Sequence, residues 1–181
     1  MTRIVSISRL FILAVLLTGF SGAATAQVEQ GQTEILGFIG GVSDGGGTTF
    51  GGGVQYAFGE RIILAAEAAY LTGGEDFSGF GVDFDSSLLE FGGNVHYLFP
   101  MSNEAFTPYV LGGLGLLRVS ASSSSGGFSS SASDTAIGLN IGGGARWQVG
   151  DNWGLRPELK IFIEDGSNVR FSIGFYRQFG G

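Results

Sequence analysis

From Gln27 onward the chain alternates apolar residues with polar or small ones at a period of two. No segment keeps apolar positions at i, i+3 and i+4 for ten residues. This is the spacing of β-strands, whose successive side chains point to opposite faces, and not of amphipathic helices. The clearest case is Ala136 to Val149. Ile137, Leu139, Ile141, Gly143, Ala145, Trp147 and Val149 share one face, and Gly138, Asn140, Gly142, Gly144, Arg146 and Gln148 share the other. Phe50, Val54, Tyr56 and Phe58 likewise oppose Gly51, Gly53, Gln55 and Ala57. Leu89, Phe91, Val95, Tyr97 and Phe99 oppose Glu90, Gly92, Asn94, His96 and Leu98. The pattern predicts eight strands, over 33–42, 49–58, 62–72, 85–99, 106–119, 135–149, 153–163 and 169–179. The first is ambiguous in its facing, and the third and fifth carry apolar residues on both faces.

The connections sort by length. Gly59-Glu60-Arg61, Pro100–Ala105 and Gly150-Asp151-Asn152 are short, whereas Ser43–Thr48, Gly73–Phe84, Ser120–Asp134 and Glu164–Asn168 are mostly longer and more polar. Alternating short turns and long loops is the habit of outer-membrane barrels, which keep the turns periplasmic and the loops outside. An apolar sheet face needs a second sheet or lipid to cover it. In hydrocarbon an unpaired sheet edge is too costly to persist, so the sheet closes on itself. Eight strands leave an interior that side chains just fill. The expected fold is therefore all-β: an eight-stranded antiparallel up-and-down transmembrane barrel. The Ser/Gly-rich stretch Ser120–Ser133 is expected to be a mobile external loop.

The N-terminal segment changes the picture in one respect. Arg3 and Arg9, the apolar run Leu10–Leu17 and the small residues Ala24-Thr25-Ala26 have the order of a cleaved secretory signal. Residues 1–26 are thus expected to be a signal peptide and residues 27–181 the barrel domain. That segment holds two of the nine basic residues and none of the sixteen acidic ones, so the remainder carries a net charge of −9. No basic patch is left for a nucleic acid backbone. There is no Cys, hence no lipid attachment site and no disulfide framework.

The stretches Thr107-Pro108-Tyr109-Val110-Leu111-Gly112-Gly113-Leu114-Gly115 and Leu155-Arg156-Pro157-Glu158-Leu159, with the aromatic-ended Phe171 to Phe179, carry a family likeness. Over residues 27–181 the chain resembles the small outer-membrane β-barrel superfamily of OmpA/OmpX-type Gram-negative surface proteins. The resemblance implies an outer-membrane location with both termini periplasmic, and contact with outer-membrane lipid and lipopolysaccharide. It also implies a last strand read by the barrel-assembly machinery through Gly174, Phe175 and Phe179. Arg177 stands where the family often has an aromatic residue, and Gly180-Gly181 follow the final Phe.

The chemistry-bearing residues fall mainly on inward parities: Glu67, Glu90, His96, Arg146, Arg156, Glu158, Lys160 and Arg170. Charges in a narrow interior must be paired or hydrated. A structural network that fixes strand register is preferred here over an ion-lined conduit. His96 is the only histidine, and no Ser lies two residues from it, so a lipid-modifying enzyme is a lesser alternative. Glu75, Asp76, Asp83 and Asp85 read as a solvated acidic loop interrupted by Phe77, Phe80 and Phe84, without calcium-ligand spacing. Gly45-Gly46-Gly47 is followed by no helix or Lys and is not a phosphate cradle. No cofactor or metal is expected. The leading function is a non-enzymatic surface barrel acting in envelope structure or cell-surface interaction through its long loops, with no surface partner named by the sequence. The alternatives are a narrow channel or route for small apolar ligands, the lipid-modifying enzyme, and a soluble exported lipocalin-like barrel with apolar residues turned inward.

Overall fold

The computed structural model describes residues 28–43, 47–72, 83–103, 105–125, 128–164 and 167–180; of 83–87, 119–125 and 128–134 it describes the backbone. Every regular element among these is a strand: β1 Thr33–Val42, β2 Thr48–Gly59, β3 Ile62–Thr72, β4 Asp83–Leu98, β5 Phe106–Ser125, β6 Phe128–Gly150, β7 Trp153–Ile163 and β8 Ser167–Phe179. Each pairs antiparallel with its chain neighbours, and β8 returns to β1, closing the barrel. Closure leaves no edge in the wall, so backbone donors and acceptors are satisfied strand to strand.

The register is staggered. Stepping from Thr33 through Tyr56, Leu64, Val95, Gly112, Ile141, Ile161 and Val169 returns the path to Ser43, the residue after β1, whose N–H donates to the Val169 carbonyl at 2.8 Å. The path thus climbs ten residues, from 33 to 43, in one circuit. A stagger of this kind goes with strands tilted by roughly 35–45° to the barrel axis.

Alternation along each strand sorts the side chains. Outward stand Ile39, Val54, Val95, Val110, Leu114, Ile137, Leu139 and Ile173, with Ile137 68% exposed and Ile39 62%. A soluble barrel with an apolar interior would bury these residues; here they form the outer wall, as hydrocarbon requires. Aromatics gather on that wall at the end with the short turns: Tyr56, Phe58, Tyr97, Phe99, Trp153, Phe175 and Phe179. The three strands of ambiguous facing are resolved. Glu34, Leu36 and Phe38 of β1, Ile63, Ala65, Glu67 and Ala69 of β3, and Thr107, Tyr109 and Leu111 of β5 are inward and buried. At the turn end Val28 packs with Ala57, Ile63, Leu98, Tyr109 and Leu111 in an apolar stopper.

One expectation is overturned. Ser120–Ser125 and Phe128–Ser133 are strand and not loop, because β5 and β6 continue through them, paired from Ser120↔Ser133 to Ser125↔Phe128. The Asp83–Ser87 part of β4 joins them, paired with Ser124–Ser120. Ser reads as loop by composition, but a register set lower down propagates through small residues when no Pro removes a ladder donor. Asp83 and Asp85 therefore lie on a strand. Glu75, Asp76 and the aromatics Phe77 and Phe80, like Gly45-Gly46 and the proposed signal segment, lie outside the described residues.

Candidate functional site

The site is the barrel interior. Glycine on inward parities makes room for it. A Cβ at Gly138 would sit 2.5 Å from Phe162 Cζ, one at Gly144 2.7 Å from Tyr109 Oη, and one at Gly53 3.0 Å from Glu67 Cγ. The large interior side chains thus lie over space that glycines of the neighbouring strand leave open.

Two linked groups fill the lumen. Near the turn end, Arg146 donates through both terminal guanidinium nitrogens, Nη1 and Nη2, to Glu34, with Nη1 to Oε2 at 2.7 Å. This forked geometry is the strongest form of such a pair. Gln178 donates to Glu34 at 3.1 Å, Gln148 donates to Gln178 at 3.1 Å, and the Tyr176 hydroxyl donates to Gln148 at 2.8 Å. The Arg146 guanidinium lies over the Tyr176 ring, 4.3 Å from its centroid.

Further along the axis, β7 presents Arg156, Glu158 and Lys160 at successive inward positions, so the charge alternates along one strand. Across the lumen, Glu67 of β3 accepts from Arg156 at 2.6 Å and from Lys160 at 2.5 Å. Glu158 lies 3.3 Å from Arg156 and accepts from the Tyr109 hydroxyl at 2.7 Å. Arg170 of β8 donates to Glu90 of β4 at 2.9 Å and stands over Phe38, 4.8 Å from the ring centroid. Turned so that its amide nitrogen faces Glu34 at 3.0 Å, Gln55 accepts from Arg156 and joins the two groups. Asn140 donates to Asn94 at 3.1 Å in the same interior.

All eight residues singled out in the sequence are buried in this lumen, and the ion pairs bring Glu67, Glu90, Arg156, Glu158, Lys160 and Arg170 together. Arg146 pairs elsewhere, with Glu34, which the sequence reading missed because β1 is apolar on both faces. A signal was present. Glu67, Glu90 and Glu158 against Arg146, Arg156, Lys160 and Arg170 leave one cation unmatched, and an unpaired charge inside a barrel in lipid is very costly. Glu34 supplies the fourth carboxylate.

His96 is 1% exposed and stacks flat on Tyr109, with ring centroids 4.9 Å apart. It is not placed to meet a substrate at the outer wall. Its ring and the carboxylates of Glu67 and Glu158 bring ligand atoms within 4.8 Å of one another, the spacing of a metal site. Yet Arg156, Lys160 and Arg170 all lie within 4 Å of those two carboxylates, and a metal cation would enter against three positive charges. In the last strand Gly174 faces inward against Leu36, while Phe175 and Phe179 face outward at the turn end. The Arg177 guanidinium lies over the Phe179 ring, 5.6 Å from its centroid.

The chain matches the family described as outer membrane protein beta-barrel domain over residues 12–179. A comparison with curated proteins gave no match. Among solved structures, the N-terminal β-barrel domain of Pseudomonas aeruginosa OprF is similar at 18% identity and a TM-score of 0.61, over 84% of this chain and all of that one. Neisserial surface protein A is similar at 20% identity and a TM-score of 0.62, over 82% and 96%. Ail, the attachment invasion locus protein of Yersinia pestis, is similar at 19% identity and a TM-score of 0.59, over 83% and 99%. At these identities the structural likeness speaks to fold. With the outward apolar wall, the closed eight-stranded register and a match over nearly the whole length, the chain belongs to the outer membrane protein β-barrel domain family.

Proposed function

We propose that the protein is a closed, non-conducting and non-enzymatic barrel of the Gram-negative outer membrane. It contributes to envelope structure and presents its loop end to the surroundings. Residues 1–26 are removed on export, both termini lie in the periplasm, and the long connections face outward among lipopolysaccharide. The observation that carries this reading is the interior: four carboxylates and four cations, each at most 7% exposed, occupy the bore. A conduit needs a continuous wet path, and side chains paired across the axis replace it. The stopper around Val28 adds an apolar seal at one end. The Ail name, attachment invasion locus protein, and the long β5–β6 hairpin together support a role at the cell surface.

The test is conductance of the purified protein in planar lipid bilayers. A silent bilayer is expected, and reproducible single-channel steps would overturn the reading in favour of a narrow channel. The role of the last strand is tested separately. Phe179→Ala is expected to lower the amount of barrel assembled in the outer membrane, with unassembled chain accumulating in the periplasm. Unchanged assembly would remove Phe179 from the signal read by the assembly machinery.

A further inference from the structure

Above the wall, β4, β5 and β6 go on as a three-stranded ribbon, with Asp83–Ser86 paired to Ser124–Ala121 and Ser120–Ser125 paired to Ser133–Phe128. The strands on either side stop lower down. β7 leaves β6 at the pair Leu139↔Ile163, and β3 leaves β4 at Thr72↔Ser87. Among the described residues no strand pairs with β6 on its β7 side above Leu139, or with β4 on its β3 side above Ser87. Closure therefore ends with the wall, and the ribbon has two open edges.

The β6 edge can be followed group by group. The Gln148 N–H donates to the Ala105 carbonyl at 2.8 Å, on the β5 side. From Trp147 up to Phe128 the β5–β6 register then runs without a bulge. An antiparallel residue exchanges both of its bonds with one neighbour, and successive residues alternate between neighbours. Even-numbered residues of β6 thus bond to β5, and odd-numbered residues turn to the other side. At Leu139 that side is β7; at Ser129, Ser131 and Ser133 it is open. The two edges are also defended differently. Natural sheets blunt an exposed edge with charge, proline or a cover. The β4 edge carries two acids in its four residues, Asp83 and Asp85, whereas Ser129–Ser133 has neither charge nor proline. An edge left in this state is a template for one more strand.

We propose that this edge pairs with the same edge of a second copy in a facing membrane. Antiparallel pairing is the more stable kind, and in every copy β6 runs from the loop end down into the wall. Two β6 strands lying antiparallel therefore belong to barrels that point at each other, related by a two-fold axis between the membranes. Ser131 stands eight residues beyond Leu139, about 26 Å along the strand, which carries the edge clear of the wall. A register centred on Ser131 sets Ser129 against Ser133 and Phe128 against Asp134, so the one charge of the segment does not meet itself. The β4 edge in the same arrangement would bring the acids of two copies together. A single pair exchanges few bonds and is weak, but many copies on each surface act together. The inference rests on the loop end facing outward, and it makes the surface role a specific one: contact between cells that carry the same protein.

The test is the clumping of phosphatidylcholine vesicles that carry the folded barrel, read by light scattering. Wild-type vesicles should clump, and empty vesicles should stay dispersed. Ser131→Pro removes one N–H from the open edge and none from the ladder to β5. That variant, once a heat-modifiable band shows it folded, should lose the clumping. Vesicles with Ser131→Lys and vesicles with Ser131→Asp should each stay dispersed and should clump when mixed, because the register puts position 131 of one copy against position 131 of the other. Dispersed wild-type vesicles, Ser131→Pro vesicles that clump like wild type, or a mixture of the two charged variants that stays apart would each overturn the proposal. So would copies crosslinked within one vesicle without clumping, which is the mark of parallel pairing side by side. None of these readouts depends on conductance, so the outcome is separate from that of the closed-barrel reading.

Discussion

At the residue scale the most informative pair is Glu34 with Arg146. Both side chains are 2% exposed inside a wall surrounded by hydrocarbon, so neither has water to fall back on. Breaking a buried pair strands the remaining charge and typically costs about 3–5 kcal/mol. Glu34→Gln is therefore expected to lower unfolding stability by about that amount. Urea unfolding from lipid vesicles, followed by the fluorescence of Trp147 and Trp153, would measure it. The double variant Glu34→Leu with Arg146→Met should recover most of the loss, because it removes both charges and keeps the volume filled. A Glu34→Gln protein as stable as wild type would mean that Arg146 is hydrated, and the filled interior would fail with it. Residues of this kind were legible where parity was clean. Arg146, Arg156, Glu158, Lys160 and Arg170 sit on strands whose opposite face is plainly apolar. Glu34 was hidden because Ile35 and Ile39 face lipid while Leu36 and Phe38 face inward, so β1 shows no polar stripe. Its partner lies 112 positions away, at a distance no local pattern records.

At the scale of elements, the sequence reading found all eight strands and most of their ends, since alternation and turn residues are local. The boundaries misplaced by more than two residues were those of β5 and β6, extended to Ser125 and back from Phe128. Ser and Ala above the wall carry no apolar alternation to mark a strand. Their pairing comes from the continuing register and from the neighbouring Asp83–Ser87. This predicts a measurable difference from a loop. In hydrogen–deuterium exchange, the amides of Ser120–Ser125 and Ser129–Ser133 should exchange more slowly on average than those of the turn at Glu60 and Arg61. Exchange as fast as in that turn would return the segment to the loop that its composition suggests.

At the scale of the whole molecule, the charges are partitioned in an unusual way. Of the seven basic residues beyond position 26, Arg146, Arg156, Lys160 and Arg170 are inside the barrel. Among the described side chains those four interior cations are balanced by four carboxylates, so the net charge of −9 beyond position 26 is carried by residues outside this network. A protein with its cations hidden is poorly suited to nucleic acid, and its exterior chemistry is left to the apolar wall and the two ends. The inside-out arrangement, polar network within and aliphatic wall without, is the claim on which the rest depends. It is tested most directly by fractionating cells that express the intact chain and comparing boiled with unboiled samples on SDS gels. The account predicts a band enriched in the outer membrane whose migration changes on boiling, as a closed barrel opens. A soluble periplasmic protein with a single, heat-insensitive band would contradict it, because the exposed wall of Ile39, Leu114 and Ile137 would then have no hydrocarbon to face.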